Sequence, residues 1–272
     1  MSKLRTLWAF VRRDIKVAVS YRLQFFFQAT AMLSICITFF FLTMMFSEVE
    51  ANITSLDKYG GSYFAFVTIG IAISNYVDFS LRTFSSSIRQ AQMTGTFEAM
   101  MTTPASIGVI IGGSSLYPLL FTSLRSILLI FFGVFLFGIQ IKIGSISALG
   151  LVIVLTIVST LALGIFSAGF IVLFHRGDPV TAAVSGLTWF LSGVIYPKEI
   201  LPDWVQSIAA LLPVTHTLEA LRLGLLQGAS WETQRNSILG LAIFAAITVP
   251  LAFLWFSWTI RRAKKAGALA RY

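Results

Sequence analysis

The segment ISALGLVIVLTIVSTLALGIFSAGFIVLF, Ile146 to Phe174, carries no charged side chain. A helix needs about 20 predominantly apolar residues to cross the hydrocarbon core of a bilayer, so this stretch reads as a transmembrane helix. Working outward, similar runs lie at 23–46, 61–81, 116–137, 180–196 and 237–260, which makes six predicted spans. The composition agrees: 57% of the residues are hydrophobic, 25 are Phe, and only 11% are charged. A soluble domain carries roughly a quarter charged residues. The ~10-residue alternation of a transmembrane β-barrel is absent. The expected fold class is an all-α polytopic membrane protein.

The net charge of +9 would suggest a nucleic-acid partner in a soluble protein. Here the positive residues gather at the two ends and beside the spans, where anionic lipid and the positive-inside rule explain them; no nucleic acid is expected. Fourteen Lys and Arg fall on the side that holds both termini and five on the other, with Arg125 inside a span. That assigns both termini to the cytosol. In residues 2–22, Leu4, Leu7, Trp8, Val11 and Ile15 line one helical face and Lys3, Arg5, Arg12, Arg13 and Lys16 largely the other. This predicts an amphipathic helix lying in the membrane interface and no cleavable signal. The only cysteine, Cys36, lies in the middle of the first span and reads as a small buried apolar residue.

Between the second and third spans lies a polar island, RTFSSSIRQAQMTGTFEAMMTTP, Arg82 to Pro104. Ser85 or Ser86 can cap a short helix that Gly95 breaks; Thr96 can cap a second, with Glu98 in its first turn, and Pro104 stops it. Phe97, Met100 and Met101 offer an adaptable apolar face to a partner's groove, or to the protein's own first helix. A folded, water-facing element between two spans suggests a docking surface; the plain alternative is an ordinary connector. The third span is expected to follow a separate short connecting helix.

Residues 199–228 form the second unusual stretch. Pro197 ends the fifth predicted span, and Pro202 and Pro213 divide apolar pieces each too short to cross, Trp204–Leu212 and Leu218–Leu226. Such runs are read as a re-entrant helical hairpin before the last span. His216, Glu219 and Arg222 follow at i, i+3 and i+6, and are expected to form a local hydrogen-bonding cluster that caps it. One His and one Glu do not make a metal site. Asp78 and Arg125 are intramembrane charges, which must face protein or water. Arg125 pairs with Asp78 or with backbone carbonyls, or it belongs to a transport path or a dimer seam.

Two motifs carry a family resemblance: GTFEAMMTTP, Gly95–Pro104, and SGVIYPKEILPDWVQSIAALLPVTHTLEALR, Ser192–Arg222. In this order, within this pattern of spans, the chain resembles end to end the permease subunit of an ABC exporter of the ABC-2 type. The resemblance implies a coupling segment at 85–103, with Arg89, Met93, Gly95, Thr96, Phe97, Glu98, Met100, Met101 and Pro104 meeting the ATPase. It also implies a path bordered by the hairpin residues Pro197, Pro202, Pro213, His216, Glu219 and Arg222. The implied partners are two copies of a separate ABC ATPase, a second permease as homodimer or sister subunit, and membrane lipid. The sequence has no Gly-x-x-x-x-Gly-Lys-Ser/Thr loop, so ATP and Mg are expected only through the partner. The implied location is a prokaryotic cytoplasmic (inner) membrane, and the implied substrate a drug or lipid-like amphiphile. The alternatives are a polysaccharide or lipid-linked glycan exporter, a membrane enzyme acting on lipid-linked substrates, and an assembly subunit without transport.

Overall fold

The computed structural model describes residues 12, 22–45, 54–93, 107–174 and 179–265. Every regular element among them is helical: α1 (Arg22–Met45), α2 (Thr54–Asp57), α3 (Tyr63–Met93), α4 (Ile107–Phe135), α5 (Ile146–Phe174), α6 (Pro179–Leu191), α7 (Asp203–Ala209), α8 (Pro213–Leu226) and α9 (Trp231–Lys265), with a 3-10 turn at Lys198–Ile200. Five are long and apolar enough to cross a membrane: α1, α3, α4, α5 and α9; the bent pair α7–α8 would make a sixth. The interface helix expected at 2–22 lies, apart from Arg12 and Arg22, outside the described residues.

Helix α3 is the axis of the bundle. Its apolar stretch, Tyr63–Phe84, is the most buried of the five, and it packs against α4, α5, α6 and α8. Helix α1 lies outermost, with Phe26, Phe27 and Phe41 facing outward, and Cys36 buried on its inner face as expected. In hydrocarbon, apolar faces gain little by leaving lipid, so small residues and interhelical hydroxyl bonds hold such helices together. Helix α5 supplies both: Thr160 Oγ1 accepts from Ser80 of α3 at 2.9 Å, and Thr156 shares a 2.8 Å hydrogen bond with Thr217 of α8. Along its length α5 also packs closely on α9.

Four expectations change. The separate short helix capped by Ser85 or Ser86 does not form; α3 runs on without a break to Met93. Ser86 Oγ donates back to the Thr83 carbonyl at 3.2 Å instead of capping forward, a bond that a helix interior accommodates. Likewise the connecting helix and third span are one helix, α4, with Pro118 inside it. Neighbouring membrane helices tolerate such a proline.

The fifth span stops short. Helix α6 ends at Leu191 after 13 residues, too few to cross, and the chain turns through Ser192–Tyr196. Gly193 makes that turn possible, because its φ of +73° lies where a β-carbon is disfavoured. The last span, by contrast, is longer than expected and begins at Trp231.

The prolines of the hairpin do what their chemistry allows. Pro202 precedes the first residue of α7, and Pro213 opens α8, where a missing N–H is harmless. The two helices meet at 90° across residues 210–212. His216 Nε2 shares a 2.8 Å hydrogen bond with the Ala210 carbonyl and holds that corner.

Candidate functional site

Three places gather the polar residues that the bundle holds. The first is the seat of Arg222 on α8, where only 3% of the residue is exposed. Its Nη1 donates to the Gly193 carbonyl at 2.8 Å, Nη2 to the Val194 carbonyl at 2.9 Å, and Nε to the Phe66 carbonyl at 3.2 Å. The charge lies over the Phe66 ring and is also near that of Tyr59. Five donors in a planar fork suit this seat, whereas lysine could not reach all three carbonyls. The sequence count that placed Arg222 on the outer polar side is corrected: the residue is a buried tie between α8, α3 and the turn after α6.

The second is a charged latch at the same end. Glu219 accepts from Lys58 at 2.6 Å and from Lys198 at 2.9 Å. It thereby joins α8 to the turns after α2 and before α7. Burial alone would lower the Lys58 pKa, but the hydrogen bond to Glu219 and the negative charges around it raise it above the usual lysine value. His216, Glu219 and Arg222 therefore do not bond one another as a cluster. Each reaches a different part of the hairpin's surroundings, because successive steps of three residues rotate partway around the helix.

The third is a polar groove of about 520 Å³ between α3 and α4. Asn75, Asp78, Phe79, Arg82, Thr83 and Ser86 line its α3 wall, and Tyr117, Pro118, Phe121, Thr122 and Arg125 its α4 wall. On α3 the polar residues recur at i, i+3, i+7 and i+11, which stacks them along one face. Ser126 Oγ, beside Arg125, donates to the Ala72 carbonyl at 2.7 Å and ties α4 to α3 where an apolar cavity begins. At the other end Arg82 and Ser86, the first residues of the island, are exposed and form its mouth.

Asp78 and Arg125 share this groove but form no ion pair. Asp78 accepts hydrogen bonds from Ser185 Oγ and, at 3.4 Å, from Trp189 Nε1, both on α6. Arg125 turns the other way. With the Gln28 amide oxygen toward it, Nε donates at 2.7 Å and Nη1 at 3.3 Å to α1. Sequence reasoning gave Gln28, Asn75, Arg82 and Tyr117 no part in a groove; the spacing of Asn75, Asp78, Arg82 and Ser86 was the signal that could have found its α3 wall.

Behind the groove, an apolar cavity of about 210 Å³ lies among α3, α4, α5 and α8, bordered by Ile69, Ile130, Ile153 and Leu221. No group of three or more His, Cys, Asp or Glu among the described residues is placed to hold a metal. Of the expected coupling residues, Arg89 and Met93 fall on the last turns of α3; Gly95, Thr96, Phe97, Glu98, Met100, Met101 and Pro104 lie outside the described residues.

No curated protein matches the chain. A family model described as ABC-2 type transporter matches residues 5–226. Permeases of this family are transmembrane, non-catalytic components that work with an ATP-binding subunit. With that match spanning most of its length and five helices of membrane-crossing size, the chain belongs to the ABC-2 type transporter family, as an integral-membrane permease.

Proposed function

We propose that this permease forms the path of an ATP-driven exporter for a hydrophobic or amphipathic, drug or lipid-like substrate, and that residues 85–103 couple it to a separate ATPase. Two ATPase copies would dock on a pair of permeases, as homodimer or with a sister subunit, and ATP and Mg would bind only there. The termini and the island would face the cytosol of a prokaryotic cell, across its inner membrane.

The unbroken run of α3 from Tyr63 to Met93 carries this reading. A rigid helix of 31 residues extends about 45 Å, so a push at its island end is delivered to Asp78, to the Arg222 seat and to the groove. A flexible connector would absorb the same push. Helix α6, broken at Leu191 and bonded to Asp78, is the element such a motion would shift first.

The test is ATPase association and activity of the purified permease with a candidate ATPase. Phe97→Asp is expected to abolish co-purification. Inserting Gly-Gly after Ser86 is expected to keep association but remove permease-dependent stimulation of ATP hydrolysis. Association and activity unchanged by both would reduce the island to a connector.

A further inference from the structure

The lining of the α3–α4 groove carries two arginines, Arg82 and Arg125, against one carboxylate, Asp78. Among the described residues, neither Arg82 nor Arg125 has a carboxylate within ion-pair distance. The one carboxylate in the groove, Asp78, is already bonded to Ser185 and Trp189. Arg125 bonds a neutral amide, and the Asn75 Nδ2 is buried without a partner. An arginine near the middle of a span and an unsatisfied amide are both costly in a low-dielectric site. An anion in the groove would neutralise Arg125, and a turn of the Asn75 side chain would bring its amide to the same anion.

The two cations stand at different depths. Since Ser126 bonds the Ala72 carbonyl, Arg125 lies near the level of Ala72. Arg82 is ten residues farther along α3, or ~15 Å toward the mouth. Between them Phe79, Tyr117 and Phe121 give the groove aromatic walls. A cation at the mouth steers an anion inward, and one at the floor holds it.

We propose that the groove binds the phosphate or carboxylate headgroup of an anionic amphiphile from the island side, with Arg125 and Asn75 as the holding donors and Arg82 as the steering charge. This rests on the permease reading for its meaning as a substrate site, and it narrows that reading: cationic amphiphiles are disfavoured. The hydrocarbon part lies against Phe79, Tyr117 and Phe121, where aromatic rings and lipid chains pack without leaving a polar group dry.

The test measures binding of fluorescent-labelled dodecyl phosphate to the full chain in phosphatidylcholine nanodiscs, without any ATPase. Saturable binding is expected, displaced by unlabelled dodecyl phosphate and by phosphatidic acid in the disc, but not by dodecyltrimethylammonium, which has the same tail and the opposite charge. Losing charge-assisted hydrogen bonds is expected to weaken binding about tenfold or more in Arg125→Gln, and Asn75→Ala several-fold. Arg82→Gln, at an exposed position, is expected to slow association at low salt and to lose its effect as salt screens it.

Displacement by the cation as strong as by the phosphate would overturn the proposal. So would unchanged affinity in Arg125→Gln or, should that variant not fold, in Asn75→Ala. Equal displacement by inorganic phosphate would make the site one for free anions and overturn the amphiphile. Because no ATPase is present, a failure of ATPase association leaves this measurement untouched, and the two readings fall separately.

Discussion

The Arg222 guanidinium lies 3.3 Å from the centroid of the Phe66 ring while its Nε donates to the carbonyl of that same residue at 3.2 Å. One side chain thus joins the hairpin to both the face and the backbone of α3. With two further bonds to the turn after α6, it replaces the carboxylate that a buried arginine ordinarily needs.

Replacing Arg222 by Met is therefore expected to lower stability by about 3 kcal/mol or more, since bonds to a charged donor are each worth roughly 1.5–3. Arg222→Lys is expected to recover less than half of the loss, because a single ammonium cannot span three carbonyls. Thermal unfolding in detergent, followed by near-UV circular dichroism, measures both. A lysine variant as stable as wild type would mean that charge alone matters at this seat.

Gly70 leaves room for the turn that Arg222 holds. A β-carbon there would lie 2.2 Å from the Val194 carbonyl oxygen and 2.7 Å from Arg222 Nη2. Neither can give way without breaking the Arg222–Val194 bond. Gly70→Ala is expected to destabilise by about 1–3 kcal/mol, the usual range for overpacking, and combining it with Arg222→Met should give less than the sum. A strictly additive double mutant in the same melting assay would contradict the shared turn.

At the latch, Lys58 and Lys198 both bond Glu219, but their side chains are 43% and 29% exposed, so each pair is worth at most about 1 kcal/mol. The raised Lys58 pKa sets the sign of the pH dependence. Its contribution is fully present below the usual lysine value and is lost as pH climbs through the higher folded value. Melting temperatures of wild type and Lys58→Met are expected to differ by a constant amount from neutral pH to about 10 and to converge above it. Convergence already at neutral pH would place the lysine charge elsewhere.

The hydroxyl pair Thr156–Thr217 ties α5 to α8. Interhelical hydrogen bonds in membranes contribute about 0.6–1.7 kcal/mol. Thr156→Val alone is expected to cost about that much. A double-mutant cycle with Thr217→Val should show a coupling of similar size, because either substitution alone already removes the whole bond between the two hydroxyls. Zero coupling would assign both hydroxyls to their own helix backbones, which they also bond.

How the helices are used was legible only in part. Helix α5 matches the boundaries read from its uncharged run, since nothing polar interrupts it. The hairpin was visible through Pro202 and Pro213, whose missing N–H groups forbid a continuous helix. The unbroken α3 was not: serines cap helix starts as readily as they bond back within a helix, and packing decides between the two. The early end of α6 was equally hidden, because Val194 and Ile195 extend the apolar run past the turn that Gly193 and Arg222 make.

The sequence by itself determined that this is a helical membrane protein, and where prolines divide the chain ahead of its last long helix, because hydropathy and ring geometry act locally. It also carried the family match, over residues 5–226. Only the tertiary structure decided the partners of the charges. Asp78 and Arg125 look like a pair in one dimension, yet α6 offers one its donors and α1 the other its acceptor. Arg222 looks like a surface cation until the turn after α6 brings two carbonyls to it. A charge inside a bilayer must be satisfied, but which of several distant groups satisfies it depends on which helices touch.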